Sequence, residues 1–389
     1  MPSVADALRA FAPAYLKRFG NDVPAGHRKV LSVITRCRTG ELGNVVYECR
    51  SCGQQHWAGR SCGNRHCPSC QFEKTQAWLT KQSARLLPVH YFCVTFTVPS
   101  ELRMALRAHQ SVGYKLLFDA AHEALRDVGA KTRALKGCEL GYFGVLHTWG
   151  RNPTVYHPHL HFVVPGGGIR LDDAGQPTEW CATTEWCATT ENFLVHHGTL
   201  IRVFRGKLRD KLKAAGVTDE VPRGELSKAW KKKSVVDIKS VGNGQAVLKY
   251  LAPYVNRVAI SDKRIVAVDD THVTFTMTPS GTKQTVTKRV TGNEFVRGFV
   301  QHVLPPGFHK IRYYGWQHPR RKVDVEEIRW LACVALGLFF LLRFAPREQA
   351  EPLPALRCGH CGGELQLMMI ILADGRVLWN HRQPFLDSG

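Results

Sequence analysis

Residues 155–164 read VYHPHLHFVV and predict a β-strand with two chemically different faces. Successive side chains of a strand point to opposite faces, so His157, His159 and His161 share one face while the apolar residues between them face a core. Two imidazoles two residues apart on one face can chelate a divalent metal. We therefore predict a metal site on this strand, and the alternative is a half-buried strand with a histidine-rich polar face.

The segments around this strand predict an antiparallel sheet with helices packed on one face. Residues 91–98, YFCVTFTV, alternate and are rich in β-branched and aromatic side chains, which is typical of a strand. Residues 144–149, GVLHTW, are separated from the histidine strand by the turn-like GRNP and predict an antiparallel hairpin. Apolar residues at helical spacing within 112–125 and 200–212 predict two helices. The order strand, helix, strand, strand, helix indicates an α+β fold.

The chain has 389 residues, enough for two or three domains. We predict an N-terminal helical and zinc-binding domain at residues 1–87, a catalytic domain at 88–310 and a C-terminal region at 311–389. The apolar run at 331–342 predicts a buried helix, so the C-terminal region should be mainly helical. Residues 178–183 and 184–189 repeat the hexapeptide TEWCAT, which predicts an enlarged surface loop.

The charge of the chain predicts a polyanionic partner. Lys and Arg number 53 against 32 Asp and Glu, a formal net charge of +21. Nucleic acid is the commonest partner for such an excess. The basic residues within 202–213 and 228–233 suit a phosphate track, although a charge run is usually a solvated face. Residues 309–316, HKIRYYGW, mix cations with aromatic rings, as single-strand binders do, and these rings could equally be core.

Two further expectations concern location. The first ten residues lack the basic start and apolar run of a secretory signal, and the apolar run at 331–342 is shorter than the roughly 20 residues that cross a bilayer. We therefore expect a cytoplasmic protein without a membrane partner. Its cysteines should be thiols or metal ligands rather than disulfides.

Two cysteine pairs near the N-terminus predict a structural zinc site. Cys49 with Cys52 and Cys67 with Cys70 have the spacing of zinc knuckles, separated by 14 residues. Two such knuckles together supply the tetrahedral sulfur ligands that Zn²⁺ favours.

Other cysteines and histidines complicate this zinc prediction. Cys62 and His66 lie between the two knuckles and could replace a ligand or build a second site. Cys358 and Cys361 form a further pair near the C-terminus, with no second pair after it, and remain unassigned.

Two tyrosines later in the chain are candidate nucleophiles. Tyr250 and Tyr254 lie four residues apart, so on a helix they would share one face. Asn243 is a plausible N-cap for that helix. Pro253, between the tyrosines, would kink it. Taken alone, the pair is better explained as amphipathic packing residues.

At this point the chain resembles the rolling-circle, HUH-type two-tyrosine transposases of the insertion sequence ninety-one family. The resemblance covers most of residues 40–340, in order. Besides the His-x-His strand and the tyrosine pair, it is carried by SCGNRHCPSC (61–70), LHTWG (146–150), FRGK (204–207) and HVLPPGFHKIR (302–312).

The resemblance implies a DNA-cutting and DNA-joining centre in an HUH-type antiparallel sheet with flanking helices. His159 and His161 would bind Mg²⁺ or Mn²⁺, which would polarise the scissile phosphate. Tyr250 would attack to leave a 5′-phosphotyrosine and a free 3′-hydroxyl, and Tyr254 would act as second nucleophile. Because two imidazoles leave a metal under-coordinated, we predict His147, on the neighbouring strand, as third ligand in preference to His157.

The expected partner is DNA, in the form of single-stranded or hairpin ends of the element. Seven cations, drawn from the basic runs and from beside the tyrosines, are predicted to contact it: Arg205, Lys207, Lys231, Lys232, Arg257, Lys310 and Arg312.

Three alternatives remain open on the sequence. A rolling-circle replication initiator or relaxase would share the histidines and tyrosines. A histidine-triad nucleotide hydrolase uses a His-x-His-x-His strand followed by two apolar residues, a pattern that residues 157–164 also fit. A non-catalytic zinc-ribbon DNA-binding protein would explain the charge and the cysteines but not the histidine strand.

Overall fold

The computed structural model describes residues 2–183, 194–232, 236–244, 248, 259–279, 282, 284–338 and 355–382. The strands are β1 Asn44–Cys49, β2 Gln55–Gly59, β3 His90–Thr97, β4 Tyr142–Trp149, β5 Tyr156–Pro165, β6 Gly167–Leu171, β7 Pro177–Ala182, β8 Val236–Asn243, β9 Ile265–Val268, β10 His272–Met277, β11 Val286–Thr291, β12 Ile311–Tyr314, β13 Leu365–Ile371 and β14 Val377–Asn380. The helices are α1 Val4–Phe19, α2 Ala25–Thr35, α3 Phe72–Ser83, α4 Arg103–Ala108, α5 Gln110–Lys131, α6 His197–Ala214, α7 Arg223–Lys231, α8 Gly292–Val300 and α9 Val325–Ala335.

The chain divides into two compact units that are interleaved along the sequence. We call them the cysteine unit, formed by Met1–Glu73, Asn256–Val303 and Gln349–Gly389, and the histidine unit, formed by Lys74–Val255 and Leu304–Glu348. The linear division predicted at residues 87 and 310 does not follow these units. The physical reason is strand pairing at long range: β13, near the C-terminus, pairs with β1.

The cysteine unit contains two small antiparallel sheets and helices α1, α2 and α8. One sheet has the strand order β14-β13-β1-β2 and the other β11-β10-β9. Helix α1 begins at a capping box, in which the Ser3 hydroxyl accepts from the Asp6 N–H and the Asp6 carboxylate accepts from the Ser3 N–H. The apolar side of α1, with Leu8 and Phe11 buried, packs on α8.

The histidine unit is built on a five-stranded antiparallel sheet with the order β12-β4-β5-β3-β8. The hairpin predicted around residues 150–153 is confirmed as the β4–β5 pair, and the strand predicted at 91–98 is β3. The basic amphipathic helix is α6, which buries Leu200, Phe204, Leu208 and Leu212 at four-residue spacing. The α+β fold with an antiparallel sheet and flanking helices is therefore confirmed.

Both faces of this sheet are covered, whereas the sequence predicted helices on one face. Leu146, Leu160 and Phe162 point to a core formed with α5 and α6. Val145 and Val163 point the other way, into a second core that includes residues of α3, α9 and the β6–β7 hairpin. All eight residues of β4 are consequently buried. The histidines belong to this second face.

The C-terminal region is less helical than predicted. Helix α9 lies where a helix was expected, although it begins before the apolar run at 331–342, of which residues 339–342 lie outside the described part. Beyond it, β13 and β14 are strands, because β13 pairs with β1, some 300 residues earlier in the chain, and β14 pairs with β13.

Within the described residues, no helix has both the length and the apolar character needed to span a membrane.

Candidate functional site

Three histidines converge on one face of the five-stranded sheet. His147 on β4 is paired with His159 on β5, and His161 follows two residues later on the same face. Each can offer one ring nitrogen, and these three nitrogens lie within 4.8 Å of one another. The ring centroids of His147 and His161 are 4.7 Å apart, and those of His159 and His161 are 4.8 Å apart. Such spacing lets three imidazoles share one metal ion.

His157 does not belong to this group. Its ring centroid is 5.1 Å from that of His159, but its nitrogens are not among those that converge. The register explains the difference, because β4 places His147 directly beside His159, whereas His157 lies further along β5. The geometry thus brings together the three residues that the sequence grouped, with His147 in preference to His157.

Hydrogen bonds orient two of these rings. Nδ1 of His159 lies 2.8 Å from the carbonyl oxygen of His157, and since a carbonyl only accepts, the hydrogen is assigned to Nδ1. Nε2 of His159 therefore carries the free lone pair. Nδ1 of His161 lies 3.1 Å from the Thr95 hydroxyl, which holds the second ring in place but can either donate or accept. Such partners are typical of metal-binding histidines.

Burial keeps the three imidazoles neutral. It lowers the pKa of His147 and His159 well below the usual range, and the positive charge that a protonated His161 would carry lowers both further. Burial, followed by the charge of Lys239, lowers the pKa of His161 to about 4. Neutral imidazole is the form that binds metal, so these residues are ready to bind at neutral pH.

This burial predicts an acid-sensitive fold. In the unfolded chain a histidine has a pKa near 6.5, so between about pH 6.5 and pH 4 the unfolded state binds the proton that folded His161 excludes. Without added Mg²⁺ or Mn²⁺, we expect the contribution of His161, about 3 kcal/mol, to be present above pH 6.5 and lost as the pH falls to 4. Denaturant unfolding at several pH values measures it. A His161→Gln variant with the same pH dependence as the wild type would contradict the expectation.

Two cations lie near the histidines. Nζ of Lys310 is 4.6 Å from the centre of the Trp149 ring, which stacks on His147. The charge of Lys310 lowers the pKa of His147. Arg103, at the start of α4, lowers the pKa of His157 and His159 in the same way. Lys310 was predicted from the sequence as a DNA contact. Arg103 was missed, because a lone arginine at a helix start gives no signal.

Other predicted DNA-contacting cations are engaged elsewhere. Lys207 forms ion pairs with Asp127 at 2.8 Å and Glu123 at 3.5 Å, and Lys232 pairs with Glu101 at 2.6 Å. These pairs weaken the prediction of a continuous phosphate track along α6 and α7.

The remaining predicted DNA-contacting residues differ from one another in their positions. The guanidinium of Arg312, predicted as a DNA contact, lies 4.4 Å from the centre of the Phe118 ring, on the face opposite the histidines. Arg205 donates to the Lys232 carbonyl, and Lys231 is exposed. Arg257 lies outside the described residues.

Tyr250 and Tyr254 also lie outside the described residues. Their nearest described neighbour is Leu248, which is helical and fully buried in the core on the histidine-bearing face of the sheet.

Among the described residues, eight cysteines form two groups of four, whereas the sequence predicted one group and left a second site open. Each group has its four sulfurs within 4.8 Å of one another; the first is Cys37, Cys62, Cys67 and Cys70, and the second is Cys49, Cys52, Cys358 and Cys361. The predicted knuckles at Cys49 and Cys67 thus belong to different groups. The spacing of cysteines within the sequence could not predict which knuckles share a group, because each knuckle faces cysteines that only the tertiary structure brings to it.

The first group contains Cys37, which the sequence analysis missed, and Cys62, which it had named as an alternate ligand. The Sγ atom of Cys70 lies 3.4 Å from that of Cys37 and 3.6 Å from that of Cys62, and Cys37 lies 3.8 Å from Cys67. Four sulfurs about 2.3 Å from one zinc ion in a tetrahedron would be about 3.8 Å apart, so this group fits zinc. His66 is buried beside it and is not a member.

One cysteine pair departs from the expectation of free thiols or metal ligands. Cys138 and Cys181 are joined as a disulfide, which connects the segment after α5 to β7.

Comparison with known proteins identifies the chain. Residues 7–98 match the family described as "Transposase zinc-binding domain", and residues 141–324 match the family described as "Putative transposase". A "Putative transposase y4qJ" of Sinorhizobium fredii (strain NBRC 101917 / NGR234) is 38% identical over 333 residues, which cover 81% of this chain and 80% of the relative. The chain belongs to the insertion sequence ninety-one family of transposases. Its activity is therefore the cutting and joining of DNA.

A second relative of this transposase is the "Transposase for insertion sequence element IS801" of Pseudomonas savastanoi pv. phaseolicola, 26% identical over 297 residues, 72% of this chain and 67% of the relative. No solved structure matches the chain. The first cysteine group lies wholly between residues 7 and 98, so the N-terminal domain of the transposase binds zinc.

Proposed function

We propose that this transposase cuts and rejoins single-stranded or hairpin DNA at element ends, with Tyr250 as nucleophile and Mg²⁺ or Mn²⁺ bound by His147, His159 and His161. The observation that carries the proposal is the convergence of three neutral imidazoles on one sheet face. Formation of a 5′-phosphotyrosine with a free 3′-hydroxyl would support movement of the element by a rolling-circle-like mechanism.

The three imidazoles fit a divalent ion that must also contact substrate. Three protein ligands leave coordination positions open, and the hydrogen bond of His159 to the His157 carbonyl directs Nε2 toward the shared position. When bound, the ion supplies Lewis acidity at the scissile phosphate and stabilises the charge that develops there. Imidazole alone favours later transition metals, whereas nucleotidyl transfer commonly uses Mg²⁺ or Mn²⁺, so the metal is part of the proposal.

Tyr250 would carry out the covalent step. Its phenol, with a free pKa near 10, must lose its proton before or during attack on phosphorus. The new bond joins the tyrosine oxygen to phosphorus, the bond from phosphorus to the 3′ oxygen breaks, and that oxygen leaves as a 3′-hydroxyl after taking a proton. Because the phosphotyrosine bond keeps the energy of the broken one, a 3′-hydroxyl can reverse the step without ATP. Tyr254 would hold a second strand in the same way.

The surroundings support this assignment. Lys310 and Arg103 place positive charge beside the histidines, where a phosphodiester would lie. Leu248, two residues before Tyr250, is buried on the histidine-bearing face of the sheet. More distant backbone contacts would come from Arg205, Lys231 and Arg257, with smaller contributions from the ion-paired Lys207 and Lys232 and from Arg312.

The test is covalent capture of labelled single-stranded DNA carrying element ends. We expect a protein–DNA adduct that survives denaturant, requires Mg²⁺ or Mn²⁺ and leaves a free 3′-hydroxyl on the released strand. Hydrolysis of small nucleotides without an adduct would instead indicate a histidine-triad enzyme. Binding without cleavage under either metal would indicate a non-catalytic DNA-binding protein. A site-specific adduct that never transfers its strand to a second end would indicate a replication initiator or relaxase.

A further inference from the structure

Independently of the catalytic proposal, we propose that Cys49, Cys52, Cys358 and Cys361 bind a second zinc ion. This ion would join the C-terminal hairpin β13–β14 to the N-terminal strand β1. Two of these ligands lie far beyond residues 7–98, the segment that matches the zinc-binding domain. The second site therefore extends the zinc-binding module of the transposase to a pair of cysteines 306 residues further along the chain.

The four sulfurs have the spacing of a tetrahedral site. Sγ of Cys49 lies 3.4 Å from Sγ of Cys361, and Sγ of Cys52 lies 3.9 Å from Sγ of Cys358. Around one zinc ion, sulfurs at about 2.3 Å would be about 3.8 Å apart. Four thiols without a metal would have no reason to converge in this way, because a thiol is a weak hydrogen-bond donor and acceptor.

The two cysteine pairs adopt the same backbone turn. In the first, the Gly53 N–H donates to the Cys49 carbonyl at 2.9 Å and the Cys49 N–H donates to the Gln54 carbonyl at 3.0 Å. In the second, the equivalent bonds run from Gly362 to Cys358 at 2.9 Å and from Cys358 to Gly363 at 2.7 Å.

A glycine ends each turn in the left-handed region. Gly53 has φ 71° and Gly362 has φ 73°, a conformation that glycine adopts without a steric penalty. The sequence Cys-x-x-Cys-Gly thus makes the same turn twice, and each turn presents two sulfurs to the other. This repeated geometry is that of two zinc knuckles rather than of chance neighbours.

Strand pairing brings the two knuckles to the same place. Strands β1 and β13 are antiparallel, with Cys49 beside Leu365, and the Arg50 N–H donates to the Glu364 carbonyl at 3.0 Å. The turns approach so closely that a Cβ on Gly363 would lie 3.0 Å from the Cys49 sulfur.

A histidine lies within hydrogen-bond distance of one of the four sulfurs. Nε2 of His56, on β2, lies 3.2 Å from the Cys358 sulfur. A ring N–H there would donate to the thiolate and reduce the negative charge of a four-thiolate site, as outer hydrogen bonds do around other metal centres.

Exposure of two of these cysteines makes the proposal testable in the unmodified protein. Cys52 and Cys361 are exposed, so as free thiols they would react rapidly with iodoacetamide. In the full-length zinc-loaded protein we expect peptide mass spectrometry to find both unmodified, and both to become alkylated together once a strong chelator is added. Alkylation of both before the chelator, at the rate of a free cysteine, would overturn the proposal.

Zinc content provides the second measurement. We expect about two zinc ions per full-length chain by elemental analysis and about one in Cys361→Ser, whose side chain is exposed and can be replaced with little disturbance of packing. The matched control is Cys333→Ser, which changes a buried cysteine outside both groups and should retain about two. A Cys361→Ser protein with the zinc content of the wild type would refute the site.

Discussion

Replacement of His159 by alanine will lower metal-dependent DNA cleavage by on the order of 10³-fold. His159 is buried, paired with His147 across the β4–β5 ladder, and held by its bond to the His157 carbonyl so that Nε2 faces the other imidazoles. Without it, two ligands remain for the divalent ion. Single-turnover cleavage of labelled single-stranded DNA, with Mg²⁺ and Mn²⁺ varied, measures the loss. Raising the metal concentration should recover part of it.

His157→Ala is the matched control for this experiment. His157 lies on the same strand, and burial followed by Arg103 lowers its pKa to about 4, yet its nitrogens are outside the converging group. We expect cleavage by this variant to remain within about 10-fold of the wild type, because an outer residue is less costly to lose than a ligand. Equal losses in the two variants would refute the assignment of ligands, and a wild-type rate in His159→Ala would exclude His159 as a ligand of the catalytic metal.

Replacement of Tyr250 by phenylalanine will eliminate the covalent protein–DNA adduct at the first strand. The change removes a hydroxyl and keeps the ring, so it deletes the proposed nucleophile and little else. The adduct is measured by its resistance to denaturant and located by sequencing the DNA-linked peptide. DNA binding, measured separately at fixed salt concentration, should be unchanged.

Two further variants sharpen the result. Tyr47→Phe alters a half-buried tyrosine on β1 in the cysteine unit and should form the adduct at the wild-type level. An adduct that persists in Tyr250→Phe and disappears only in the double variant Tyr250→Phe/Tyr254→Phe would contradict the assignment of Tyr250 and make Tyr254 the first nucleophile. An adduct that persists in the double variant would show that neither tyrosine is the nucleophile.

Much of the histidine unit could be predicted because the side chains of a strand alternate between its two faces. Side chains alternate by geometry alone, so residues 155–164 placed His159 and His161 on one face and Leu160 and Phe162 in a core before any fold was known. The turn at residues 150–153 likewise predicted the pairing of β4 with β5, because a short connection leaves few other partners. The covering of the second face could not be predicted, since it depends on α9 and the β6–β7 hairpin arriving from elsewhere.

The composition of the chain predicts that it binds DNA, but not which basic residues contact the DNA. A net charge of +21 correctly indicated a DNA partner for the transposase, because charge acts over the whole molecule. It did not reveal which cations are committed to ion pairs. Lys207 and Lys232 pair with acids on other elements, and those acids give no sign in the sequence of lying nearby.

By itself, the sequence determined the alternation of the histidine strand, the turns of the cysteine pairs and the family to which the chain belongs, because each depends on residues close together or on a pattern shared by relatives. The tertiary structure places His147 rather than His157 beside the other two histidines, as the sequence had predicted. Only the tertiary structure decided that Cys49 faces Cys361 while Cys67 faces Cys37. The physical reason is that a ligand set is completed by the register of paired strands. That register brings together residues as far apart as Cys52 and Cys358, which no local spacing relates.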